Sequence, residues 1–195
     1  MKIKNKKFLA KGHRGIVYTG YLGKKKIVIK EKNPSSEAIR RIKNEARFLR
    51  ILNKYKIGPK LLKVNKNSII YEFVDGDFIL DFIKKNKKEK IVNVLKDILR
   101  QCFVMDKLKI NKLEMHHPVK HIIIDKNPVL IDFERCYYTE KPKNVSQFCQ
   151  FIMSISPLLK KKGININKKR LVYLVGKYKQ DYSIKKFKNI IRLFL

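Results

Sequence analysis

An apolar run ends on a carboxylate at Val129-Leu-Ile-Asp132, and Glu134 follows two residues later. Far upstream, Ala10-Lys-Gly12-His-Arg-Gly15-Ile-Val17 sets two glycines in a turn between β-forming segments. Glycines let backbone N–H groups approach a phosphate, and a carboxylate at a strand exit can hold the cation that neutralises it. Lys30 closes the apolar run Ile27-Val-Ile29, where an ammonium can meet phosphate oxygens, and Glu45 can pair with that ammonium. Taken singly, each residue has a plainer use: a hairpin glycine, a strand-end lysine, an exposed helix glutamate, a turn-capping aspartate. Their order along the chain is what points to a clamp for a nucleotide phosphate and its metal.

The elements that must position these groups are readable from periodicity. Phe8-Leu9-Ala10 enters the glycine turn, Ile16-Val17-Tyr18 leaves it, and Lys26–Lys30 forms a third strand. Asn33-Pro34-Ser35-Ser36 is turn chemistry that caps a helix over 36–54, where Ile39, Ile42, Ala46, Leu49 and Leu52 recur at helical spacing. Ile57-Gly58-Pro59 ends it, and strands follow at Leu61–Val64 and Ser68–Phe73. Val74-Asp75-Gly76-Asp77 marks a boundary between a β-rich part, 1–74, and a mainly helical part, 75–195. Helices are predicted over 78–86, 89–109, 144–160, 167–178 and 183–193, interrupted by a hairpin of Ile122–Ile124 and Val129–Ile131. The class is α+β.

Composition narrows the field. A chain of 195 residues with 44% apolar residues suits one domain or two small lobes with an ordinary core. Forty-eight Lys and Arg against sixteen Asp and Glu give a formal charge of +32, a field that attracts polyanions in a salt-dependent way. The lysines are spread along the whole chain, so a solvated lysine-rich surface explains them as well as a dedicated nucleic-acid surface. Cys102, Cys136 and Cys149 are odd in number and lack Cys-x-x-Cys spacing, which argues against a disulfide scaffold or thiolate zinc site. With no apolar leader and no membrane-spanning run, the expectation is a soluble cytoplasmic protein without a membrane partner.

A third cluster lies at Glu114-Met-His116-His117-Pro118-Val-Lys120-His121. His116 can accept a hydroxyl proton near neutral pH, and Glu114 or His117 can be recruited to the same task. His117 and His121 have the spacing of a helical metal pair, but Pro118 between them disfavours a regular helix.

The glycine turn, Lys30, Glu45, the strand Ile69-Ile-Tyr-Glu72-Phe-Val74 and Asp132 stand in an order that resembles the protein-kinase-like superfamily. More narrowly, Pro118-Val-Lys-His121 and Ile131-Asp-Phe-Glu134 are similar to the small archaeal-type serine/threonine protein kinases, whose catalytic segment reads Pro-x-Lys-His followed by Ile-Asp-Phe-Glu. The resemblance covers about residues 8–155. It implies a two-lobed fold, a β-rich N-lobe with one helix and a reduced helical C-lobe, binding ATP and Mg2+ between the lobes. Gly12, Gly15, Val17 and Lys30 would line the nucleotide, backbone groups of Glu72 and Val74 would read its base, and Glu45 would orient Lys30. Asp132 would hold the metal with His121, which stands where an asparagine is usual. His116 falls where the catalytic aspartate is usual, and Lys120 would neutralise transferring charge.

Departures from the pattern accompany the likeness. Ala10 replaces the first loop glycine, Pro118 the usual loop lysine, and Glu134 the glycine after Asp132-Phe133. No Ala-Pro-Glu segment follows, and the short connection to the next helix leaves no room for a phosphorylatable activation segment, as in RIO kinases. The leading expectation is an ATP-dependent serine/threonine phosphotransferase with an altered catalytic loop and a protein substrate. The alternative is a nucleotide-binding pseudokinase that docks on RNA or a ribonucleoprotein through its basic surface. A less favoured third option is a small-metabolite phosphotransferase.

Overall fold

The computed structural model describes residues 2–12, 15–33 and 39–194. The turn tip His13-Arg14 and the capping segment Pro34-Ser35-Ser36 lie outside the described residues. The chain is α+β and divides into two compact units. One comprises Met1–Asp75 with Val129–Cys136, the other Gly76–Pro128 with Tyr137–Leu195. The segment carrying Asp132 therefore clusters with the N-terminal unit, whereas the sequence groups it with the helical part.

The first unit is built on five antiparallel strands: β1 (Ile3–Lys11), β2 (Gly15–Leu22), β3 (Lys25–Lys32), β4 (Leu61–Val64) and β5 (Ser68–Glu72). Their order in the sheet is β1-β2-β3-β5-β4. Strand alternation separates two faces. Ile27, Ile29 and Ile70 pack on one, joined by Ile3, Tyr18, Leu22 and Leu62. Val17 and Ile69 pair with Lys30 from either side, so all three share the other face. Helix α1 (Ile39–Leu52) contributes Ile42, Ala46, Phe48, Leu49 and Leu52, all buried. Ile42, Phe48, Leu49 and Leu52 each contribute on the order of 1.5–3 kcal/mol when fully removed from water.

Helix α1 is shorter at its C-terminus than the periodicity predicts. It tightens into a 3-10 turn at Asn53–Tyr55, and Lys56 takes a left-handed conformation with φ of 59°. Asn53 fixes this exit: its Nδ2 donates to the carbonyls of Ile57 and Pro59, and its Oδ1 accepts from Leu61 N–H. Strand β1 is longer than the three residues expected of it, and almost all of its side chains are exposed. An exposed strand leaves no apolar alternation to read.

The second unit is mostly helical. In chain order it holds β6 (Asp77–Phe78), α2 (Ile79–Lys85), α3 (Lys88–Lys107), β7 (Ile110–Asn111) and β8 (Ile122–Ile124). The strand β9 (Pro128–Leu130) leads into the Asp132 segment, and β10 (Tyr137–Tyr138), α4 (Asn144–Ser154), α5 (Ser156–Lys161), α6 (Lys168–Tyr178) and α7 (Ile184–Arg192) follow. β6 pairs with β8, and β10 with β7. Gly76 precedes β6 where a Cβ would lie 2.2 Å from the Ile124 carbonyl oxygen, so no larger residue fits that approach.

A single helix predicted over 144–160 is two. Pro157 sits in the first turn of α5, where its missing N–H is harmless, but its ring would clash with a carbonyl of a continuous helix. Cys102, Cys136 and Cys149 are free thiols and buried. Among the described residues, no helix is long and apolar enough to cross a membrane.

Candidate active site

Lys30 projects from β3 with its side chain 10% exposed, and three carboxylates surround its ammonium. Its Nζ lies 2.8 Å from Glu45 Oε2, 3.0 Å from Asp132 Oδ1 and 3.1 Å from Glu134 Oε2. Gly15 makes room for this side chain: a Cβ there would sit 3.2 Å from the Glu31 carbonyl and 3.5 Å from Lys30 Cε. Burial alone lowers the pKa of the Lys30 ammonium, yet Glu45, Asp132 and Glu134 together outweigh it and hold the group well above the usual lysine value. Burial pushes the Glu45 carboxyl up, against the pull of Lys30, and the charges of Asp132 and Glu134 push the same way.

Helix α1 fixes the Asp132 segment through one face. Asn44 Nδ2 donates to the carbonyls of Glu134 and Cys136 at 3.0 and 2.8 Å. Glu45 Oε1 accepts from the Phe133 N–H at 3.4 Å, and Arg41 Nη1 lies 3.7 Å from Glu134 Oε1. Positions 41, 44 and 45 share a helical face, so a single helix aligns the lysine partner and the turn that carries Asp132. Asp132 itself has φ of 64°, a left-handed conformation that a non-glycine residue adopts at a cost of about 1–3 kcal/mol.

Glu45, Asp132 and Glu134 each offer an oxygen, and these oxygens lie within 4.8 Å of one another. Such hard donors suit Mg2+ or Ca2+ and not a soft transition metal. Three carboxylates against the Lys30 ammonium and the Arg41 guanidinium still leave an excess of negative charge that a cation can neutralise. Glu45 is 1% exposed and Asp132 35%, so Asp132 is the member that solvent reaches. Glu134 is a partner of Lys30 that the sequence did not signal, where it stands only in place of a glycine.

The glycine turn and the hinge-like strand belong to the same unit. Gly12 N–H donates to Gly15 O at 2.9 Å, which commits that N–H internally. Glu72 N–H likewise donates to Lys60 O, and its carboxylate pairs with Lys25. The Glu72 N–H is thus held by a backbone carbonyl of the same unit. Val17 is half-buried beside Lys30 in the sheet, and Val74 lies just beyond the end of β5.

The loop with the histidines belongs to the second unit. Leu113–His116 form a 3-10 turn. His116 is exposed, with Nδ1 3.1 Å from the Leu113 carbonyl oxygen, and Lys120 is exposed as well. His121 is half-buried, and its N–H donates to Pro118 O. Because no regular helix spans 117–121, His117 and His121 do not share a helical face.

Beneath this loop lies a buried polar network that sequence reasoning did not find. Asp106 accepts from both the N–H and the Nδ2 of Asn144, from Val145 N–H and from the Tyr178 hydroxyl. Burial nonetheless outweighs these donors and pushes the Asp106 carboxyl up to about 6. Asn144 Oδ1 in turn accepts from Lys112 N–H, and its Nδ2 also reaches Ile110 O. Lys112 is fully buried, and its Nζ lies 3.3 Å from Glu114 Oε2. The available signal was Asp106 itself, a carboxylate on the apolar stripe of α3 beside Cys102 and Met105.

No family model matches the chain. A stretch of 73 residues, 37% of the chain, is 29% identical to the uncharacterized protein MJ1211 of Methanocaldococcus jannaschii and spans 63% of that protein's length.

Proposed function

We propose that this chain is an ATP-dependent phosphotransferase of protein-kinase-like type, assisted by Mg2+ and acting on serine or threonine hydroxyls of a protein. One observation carries the reading: the buried Lys30 ammonium joins Glu45 of the helix to Asp132 of a late strand exit. Separate stretches of chain thus supply the ammonium and the acidic group that a triphosphate and its metal require. A five-stranded antiparallel sheet with one helix, followed by a mostly helical remainder, supports the two-lobed kinase-like architecture.

In this reading Lys30 takes the α- and β-phosphates, Glu45 and Asn44 hold Lys30 and the metal turn in place, and Val17 covers the base. Mg2+, held by Asp132 with Glu134, would neutralise phosphate charge. The acceptor hydroxyl oxygen bonds the γ-phosphorus as the bond to the bridging oxygen breaks, ADP leaves, and the hydroxyl proton passes to a base. Glu114 and His116 are the groups of the altered loop with that chemistry. Positioning and electrostatics dominate such transfers, so loss of the usual aspartate weakens catalysis without forbidding it. Metal-dependent ATP turnover or autophosphorylation tests this: it is expected in the native chain and lost in Lys30→Ala and Asp132→Asn. Equal activity in all three proteins refutes it.

A second reading, nucleotide binding without transfer, is favoured by His116 standing where the catalytic aspartate of the resembled pattern is usual. It predicts nucleotide binding with no turnover in the same assay.

A further inference from the structure

Helices α6 and α7 bear a cationic cleft that the proposed phosphotransfer does not use. After Glu140 the sequence carries fourteen lysines and arginines and one acid, Asp181. The cleft, about 630 Å3, is lined by Arg170, Tyr173, Lys177, Asp181, Lys185 and Lys186 among others. Lys186 pairs at 2.9 Å with Asp181, the one acid in the lining, and no second acid there faces Arg170, Lys177 and Lys185.

Tyr173 is 53% exposed between two of these cations. The Arg170 guanidinium lies 5.3 Å from its ring centroid and the Lys177 ammonium 5.7 Å. Residues 170, 173 and 177 recur at helical spacing, so they form one stripe along α6. Behind the stripe, buried Tyr178 and Phe187 pack together, and Phe103 stacks on Phe187 at 4.3 Å, so the platform is anchored in the core. The start of α6 adds Lys168 and Lys169 to a second cleft of about 540 Å3, shared with Lys160 and lined by no acid.

We propose that this surface binds single-stranded nucleic acid, with phosphates on Arg170, Lys177 and Lys185 and a base stacked on Tyr173. Interleaved cations and an exposed aromatic ring are the chemistry of a single-strand groove. A duplex buries its base faces and cannot stack on Tyr173, and an acidic protein segment gains nothing from the ring.

The test measures fluorescence anisotropy of a labelled oligouridylate against the full chain, across a salt series. Changing Arg170, Lys177 and Lys185 to Ala together is expected to weaken binding at least about ten-fold and flatten the log–log salt slope by about 2. Tyr173→Ala is expected to weaken it about ten-fold, and Tyr173→Phe to retain native affinity. Removing equal charge elsewhere, with Lys2, Lys24 and Lys66 changed to Ala, is expected to change affinity by no more than about two-fold. The proposal is overturned if that control weakens binding as much as the cleft triple, or if Tyr173→Ala binds like the native chain. Equal affinity for a duplex or for polyglutamate overturns it as well.

Discussion

The Lys30 ammonium lies 2.8 Å from the Glu45 carboxylate, and the glutamate side chain is 1% exposed. A buried ion pair of this kind resists the loss of either partner more than the loss of both, because a lone buried charge has nothing to offset its desolvation. Lys30→Met is therefore expected to cost about 3–5 kcal/mol, since it strands three carboxylates together. Adding Glu45→Leu should recover part of that loss, with a coupling of about 1–3 kcal/mol in a double-mutant cycle. Urea midpoints followed by circular dichroism measure it, and additive losses would contradict the pairing. The sign with pH follows from the raised Lys30 pKa: its stabilisation is fully present below the ordinary lysine value and is lost as pH climbs through the higher folded value.

Asp132→Asn is expected to leave stability unchanged or raise it by up to about 1 kcal/mol while abolishing metal-dependent nucleotide binding. The substitution relieves repulsion among three carboxylates, and asparagine tolerates the left-handed conformation at this position. A drop of several degrees in melting temperature would show that Asp132 serves the fold instead.

Asp106 makes a pH prediction in the other unit. Its folded pKa of about 6 exceeds the ordinary value of 3.8, so the unfolded chain releases this proton first as pH rises. Stability attributable to Asp106 is thus greatest below pH 3.8, falls between there and about 6, and stays lower above. The full swing is about 3 kcal/mol. Measured against Asp106→Asn, the native chain should lose relative stability over that window. A constant difference across it would show that the carboxyl titrates normally.

Much of this site could be read from spacing alone, because β3 and α1 are regular. Lys30 ends an alternating run and Glu45 falls on a helix whose apolar stripe, Ile42, Ala46 and Leu49, places it toward the sheet. Glu134 and Asn44 were not legible as partners because the turn that joins them is irregular and depends on a residue at positive φ. Lys112 was hidden for a different reason: among 48 lysines and arginines, nothing in the sequence separates the one that tertiary packing buries completely. The Asp106–Asn144 bond spans 38 residues, a distance no local pattern encodes.

Glu114 and His116 are separable as proton acceptors. Glu114 is braced by the buried Lys112, whereas His116 is exposed. Glu114→Gln is expected to lower turnover about 100-fold with nucleotide affinity retained, and His116→Gln to lower it only a few-fold. The reverse order would assign the role to His116.

Calorimetric titration with a non-hydrolysable ATP analogue, with and without Mg2+, tests the central claim most directly when native chain and Asp132→Asn are compared. Binding that Mg2+ strengthens at least about ten-fold in the native chain, and leaves unchanged in Asp132→Asn, is the predicted result. Equal, metal-indifferent binding by both proteins would mean that a basic surface holds the phosphates and that Lys30 and Asp132 form no nucleotide clamp.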